Sequence, residues 1–116
     1  MNRIRIVLLA ALVALVVAVA AQAKTPVLNG TVGPGFSITL TQGGKKVTTL
    51  KAGTYTIKVA DKSSIHNFHL TGPGVNKMTT IGASGNQTWT VKLKKGTYKY
   101  VCDPHKTIMK GSFKVS

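Results

Sequence analysis

Cys102, His105 and Met109 stand together in the run Cys102-Asp103-Pro104-His105-Lys106-Thr107-Ile108-Met109, and His66 stands 36 residues ahead of the cysteine. One thiolate, two imidazoles and one thioether are the donors that hold a single copper ion in a redox centre. Thiolate and imidazole bind copper in both oxidation states, whereas a distant thioether favours the reduced one. Cys102 is the only cysteine in the chain, so it closes no internal disulfide. By itself it would read as a small buried apolar residue or as half of an intermolecular bridge. The spacing of the histidine and methionine after it points instead to a ligand. Pro104 removes a backbone donor close to the sulfur and fixes one dihedral, which limits loop motion and hydrogen bonding to the thiolate.

Other chemistries lack their parts. The only acids in the chain are Asp61 and Asp103, so there is no carboxylate pair for glycoside hydrolysis and no serine, histidine and acid grouping for acyl transfer. A copper oxidase would need further copper centres and more than the three histidines present. Four protein ligands would leave no open position for a substrate, so the residues predict no enzyme. His69 reads as exposed or hydrogen-bonded, Asp103 as a turn acceptor, and Met78 as core or rim.

The elements that must position these residues are strands. Short β-branched and aromatic runs alternate with glycine punctuation, the pattern of an all-β sandwich or barrel. Strands are expected over 36–41, 46–50, 54–60, 65–70, 78–81, 87–93, 97–102 and 112–115. The stretch 24–35, with Pro26, Gly30, Gly33, Pro34 and Gly35, reads as an irregular lead-in or an edge strand. Successive strand side chains point to opposite faces, which sorts Phe36, Ile38 and Leu40 inward, then Tyr55, Ile57 and Val59, then Trp89, Val91 and Leu93. Tyr98, Tyr100 and Cys102 share a face. So do His66, Phe68 and Leu70, with Asn67 and His69 opposite. An internal echo, Leu50-Lys51-Ala52-Gly53-Thr54-Tyr55 and Leu93-Lys94-Lys95-Gly96-Thr97-Tyr98, recurs at an offset of 43 and marks equivalent corners of a sandwich.

These motifs resemble the cupredoxins, specifically the small plastocyanin, pseudoazurin and amicyanin group. The resemblance spans roughly residues 36–115. It is carried by His66-Asn67, by the strand from Gly96 to Cys102, by Cys102, Pro104 and His105 with Met109, and by the closing Gly111-Ser112-Phe113-Lys114-Val115. It implies a Greek-key β-sandwich of about seven to eight strands and one copper per chain, cycling between Cu(I) and Cu(II). His66, Cys102 and His105 would be the strong ligands, with Met109 the weak axial one. Asn67 would tie its strand to the cysteine loop, and the edge of His105 would be the electron entry port. Three residues separate His105 from Met109, against four in plastocyanin and pseudoazurin and two in amicyanin. A three-coordinate site, or one completed by a backbone oxygen or water, is the alternative. The resemblance implies a one-electron carrier between redox partners. Copper storage or delivery in the cell envelope, and a structural domain without metal, are the competing readings.

The N-terminus carries Arg3 and Arg5, an apolar run from Ile6 to about Ala20, and Ala21-Gln22-Ala23. That order predicts a secretory signal cleaved after Ala23; an uncleaved membrane anchor is the alternative. The domain would then be 36–116, behind the lead-in 24–35, in the periplasm or outside the cell. Without the two leader arginines, 14 lysines face two acids, a net charge of +12. So basic a surface predicts donor and acceptor proteins with acidic docking faces, and a weak attraction to anionic envelope surfaces. Export and the absence of arginine from the exported part argue against nucleic acid. The chain is expected to act as a monomer.

Overall fold

A computed structural model describes residues 13–16 and 24–116. Apart from 13–16, the predicted signal segment 1–23 lies outside the described residues. Among those described, no helix is long and apolar enough to cross a membrane.

Ten strands run in chain order: β1 (Val27–Val32), β2 (Ile38–Gln42), β3 (Lys45–Lys46), β4 (Thr49–Leu50), β5 (Gly53–Asp61), β6 (His69–Gly72), β7 (Val75–Met78), β8 (Gly85–Leu93), β9 (Gly96–Val101) and β10 (Lys110–Val115). One turn of 3-10 helix, Asp103–His105, sits between the last two. The strands form two five-stranded sheets, ordered β3-β2-β1-β5-β8 and β4-β10-β9-β6-β7. The fold is an all-β, cupredoxin-like sandwich. Its count exceeds seven or eight because the expected strand 46–50 is broken into the two-residue pairings β3 and β4, and because 27–32 forms β1.

Alternation accounts for the core. Tyr55, Ile57 and Val59 on β5, and Trp89, Val91 and Leu93 on β8, are buried while their neighbours face outward. Burying each such side chain contributes about 1.5–3 kcal/mol. From the opposite sheet come Leu70, Tyr98, Tyr100 and Phe113, all buried. Tyr98 stacks on Phe113 at 5.2 Å, and Tyr100 stacks at 5.7 Å on Phe68, which precedes β6. The two echoed corners close alike: the Tyr55 hydroxyl donates to the Lys51 carbonyl at 2.7 Å, and the Tyr98 hydroxyl lies 3.1 Å from the Lys94 carbonyl.

Four further expectations need correction. The stretch 24–35 is neither irregular nor an edge, because β1 occupies the centre of its sheet, antiparallel to β2 and parallel to β5. Its inward set is Leu28, Gly30 and Val32. The glycine hides the alternation, and it is needed there because a Cβ would come within 2.9 Å of the Phe68 ring. Phe36 is not inward but 61% exposed, since β2 begins only at Ile38. The expected strand 65–70 begins at His69 instead, so His66 is buried by a loop rather than by strand parity. The next strand is likewise earlier than 78–81, ending at Met78.

Candidate metal centre

β9 ends at Val101 and delivers Cys102 to the rim of the sandwich. The following loop folds back on itself. The Cys102 N–H donates to the Met109 carbonyl at 3.0 Å, the His105 N–H to the Cys102 carbonyl at 3.0 Å, and the Met109 N–H to the His105 carbonyl at 2.8 Å. These bonds fix where a loop of this length can send its side chains. Cys102 and Met109 are buried, and His105 is half-buried at the rim.

His66 arrives from the loop between β5 and β6, and a buried carboxylate organises that loop. Asp61, 4% exposed, accepts the Ser63 N–H at 3.1 Å and the Thr79 hydroxyl at 3.1 Å. The Thr79 oxygen in turn accepts the Phe68 N–H at 2.8 Å, and the Ser63 carbonyl accepts the His66 N–H at 3.4 Å. The chain is thus pinned on both sides of His66 through one side chain. Packing holds the ring. Gly33, at φ +73°, lies so close that a Cβ would meet His66 Cδ2 at 3.2 Å, and Phe36 presents its ring edge-on to His66 and His105 at 5.2 and 5.0 Å. His66 Nε2 is buried with no hydrogen-bond partner, while Nδ1 faces the other donors.

The donors converge. His66 Nδ1 lies 3.1 Å from His105 Nδ1, and Cys102 Sγ lies 3.6 and 3.5 Å from those two nitrogens. A triangle of that size leaves one ion about 2 Å from every corner, the scale of metal–imidazole and metal–thiolate bonds. Two imidazoles and a thiol turned on one point gain little from one another, whereas a soft transition metal satisfies all three. Among the described residues, this is the one group of three or more histidine, cysteine or acidic side chains able to hold a metal. His69 is not part of it.

The two loops are tied by side chains. Asn67 Nδ2 donates to Asp103 Oδ2 at 2.7 Å, and the Asp103 N–H donates back to Asn67 Oδ1 at 2.8 Å. His69 Nδ1 pairs with Asp103 at 2.9 Å, and its Nε2 lies 2.7 Å from Asn76 Oδ1. A histidine with acceptors at both nitrogens suits the protonated form, in which both nitrogens donate. Burial alone would lower the pKa of His69. The bonds to Asp103 and Asn76 and the charge of Asp103 outweigh it and raise the pKa above its ordinary 6.5. For Asp103, burial opposes ionisation, but His69, Asn67 and Lys106 hold the carboxyl below its ordinary 3.8.

The stabilisation from His69 is complete below 6.5 and fades as pH rises through its elevated folded value. That from Asp103 is complete above 3.8 and fades as pH falls through its depressed one. The pair therefore contributes most between those two values. His69→Gln should lower the melting temperature by a few degrees near pH 5 and by less as pH rises above 6.5, as thermal melts across pH would report.

Sequence reasoning missed Phe36, Asp61 and Thr79. Phe36 was assigned by parity to a strand that had not yet begun, although Pro34 and Gly35 just before it are loop signals. Nothing in the sequence marks the Asp61–Thr79 bond, which joins positions 18 residues apart.

A family model for copper-binding proteins of the plastocyanin/azurin family matches residues 37–116. Among solved structures, reduced rusticyanin is 23% identical, covering 82% of this chain and 81% of that one, with a TM-score of 0.58. Rusticyanin from Thiobacillus ferrooxidans is 24% identical over 82% and 79%, at 0.56. Dithionite-reduced auracyanin from Roseiflexus castenholzii is 22% identical over 82% and 99%, at 0.55. At these identities the likeness concerns the fold. No curated protein sequence matches the chain. The family match runs through both loops that bring His66, Cys102 and His105 together, and the chain belongs to the plastocyanin/azurin family of copper-binding proteins, a cupredoxin with one copper ion per chain.

Proposed function

We propose that this protein is an exported one-electron carrier between redox partners, with His66, Cys102 and His105 as strong copper ligands and Met109 as a weak fourth. The observation that carries this reading is the preformed triangle of donors in a frame fixed by backbone bonds and by the Asn67–Asp103 clip. When bound, copper supplies a one-electron couple. The chain's part is to hold its ligands in one arrangement for both oxidation states, so that little reorganisation accompanies transfer. Burial of Cys102 and Met109 keeps bulk water from the sulfur atoms. His105 reaches the rim, where exposed Phe36, Ile65 and Ile108 supply an apolar surface against which a partner can exclude water; we assign its edge as the port.

The basic surface supports acidic partners, and the leader-like N-terminus supports export to the periplasm or cell exterior. A weak thioether favours Cu(I) relative to a stronger axial donor, but no axial donor at all favours it further, so Met109→Leu should keep the colour and raise the reduction potential in voltammetry. The carrier reading itself is tested by electron exchange against metal loss. Fast reversible exchange with a small uncharged mediator, with copper retained in the presence of an apo acceptor, is the expected result. Transfer of the metal to that acceptor without redox turnover would contradict it and favour delivery.

A further inference from the structure

Two short signals lie on the outer face of the β3-β2-β1-β5-β8 sheet. Asn29-Gly30-Thr31 and Asn86-Gln87-Thr88 each consist of an asparagine, a residue other than proline, and a threonine. That triplet is the acceptor pattern for N-linked sugar on the surface of exported proteins. Residues 24–116 contain four asparagines, and the structure divides them. The two outside the pattern are engaged, Asn67 by Asp103 and Asn76 by His69. Asn29 and Asn86, the two within it, are exposed and stand apart from that network.

Strand parity accounts for the exposure. Leu28 and Gly30 on β1 and Trp89 on β8 are buried, which turns Asn29, Thr31, Asn86 and Thr88 to the outer face. β5 lies between the two strands. Across it Asn29 pairs with Lys58 and Lys58 with Thr88, while Thr31 pairs with Ala60 and Ala60 with Asn86. The two triplets therefore run in opposite directions on either side of β5, and all six residues line one open depression of about 280 Å³. The asparagines stand two strand spacings apart, at least roughly 10 Å across the sheet, which leaves room for a sugar on each.

We infer that Asn29 and Asn86 are N-glycosylation sites, each receiving an oligosaccharide from a lipid-linked donor as the chain is exported. The step forms a bond between the asparagine Nδ2 and the anomeric carbon of the first sugar, and breaks that carbon's bond to the donor's phosphate oxygen. Nδ2 gives up one proton, and the lipid phosphate leaves with the bonding electrons. The acceptor is read as an extended chain before it folds, so a place on the central strand β1 is no bar. The fold must only leave the linked side chain in solvent, as it does at both positions. The port at His105 is presented by the loop between β9 and β10 of the other sheet, so sugars on this face leave it clear. The inference rests on the export proposed above and not on the carrier reading.

The test is peptide mapping by mass spectrometry of the protein purified from the cells that make it, with N-terminal sequencing of the same sample. Peptides holding Asn29 and Asn86 should carry sugar mass, and those holding Asn67 and Asn76 none. Thr31→Ala should remove the sugar from Asn29 alone and Thr88→Ala that from Asn86 alone, whereas Thr88→Ser should keep it. Both alanine variants should bind copper as the parent does, since neither threonine touches the centre. A chain beginning at Lys24 with both asparagines bare would overturn the proposal and leave export standing. A chain that retains residues 1–23, is recovered from the cytoplasm and carries no sugar would overturn export and the proposal together. Sugar persisting on Asn86 in Thr88→Ala would also overturn it, because attachment would then not follow the triplet.

Discussion

Cys102→Ser will fold but lose its coloured copper site. The exchange replaces one buried sulfur by oxygen at a position flanked by two imidazole nitrogens at 3.6 and 3.5 Å. The serine hydroxyl finds a hydrogen-bond acceptor there, so the apo protein should melt within a few degrees of the parent. It does not ionise as a thiol does, however, and provides no soft anionic donor. Loss of a partner that merely orients a ligand costs about 10- to 100-fold in metal affinity. Loss of the thiolate itself should cost more than about 100-fold, read by copper titration against a competing chelator. An intense visible band surviving in the serine variant would place the sulfur outside the site.

Asp61→Ala should be the most destabilising single change near the centre. It strands the Ser63 N–H and the Thr79 hydroxyl, and Thr79 then no longer fixes Phe68. An unpaired buried donor costs about 1–3 kcal/mol; with the Thr79 hydroxyl buried and the Ser63 N–H partly so, the two together should cost about 3 kcal/mol. In a domain this size each kcal/mol is worth about 4–8 °C, which predicts a melting temperature lower by some 12–24 °C. The loss should reach the copper site, because the affected bonds lie on both sides of His66. Asp61→Asn keeps one carbonyl acceptor and should recover part of both effects. A variant that melts normally, yet loses copper, would mean that Asp61 acts on the metal directly rather than through its loop.

How much of this was legible beforehand divides along sequence distance. Cys102, His105 and Met109 share one loop, so spacing alone grouped them. Strand parity correctly sent Tyr98, Tyr100 and Cys102 inward, because β9 is regular up to Val101. Parity also reached the right conclusion for His66 by the wrong route: the residue is buried, but in a loop anchored by Asp61 and Thr79. β1 was obscured by Gly30, whose missing side chain is explained only by the Phe68 ring lying 38 positions further on. Phe36 followed the apolar-means-inward rule and failed it at the rim, where an exposed aromatic touches both histidines. The links between His69, Asp103 and Asn76 join separate segments through polar atoms, and apolar periodicity carries no trace of them.

The most direct test of the whole account is a Cu(II) titration of the metal-free protein, followed by visible absorption. One equivalent should produce an intense thiolate-to-copper band that saturates sharply, bleaches with a one-electron reductant and returns on reoxidation. A colourless complex with one copper bound would contradict it, because copper would then be held without Cys102.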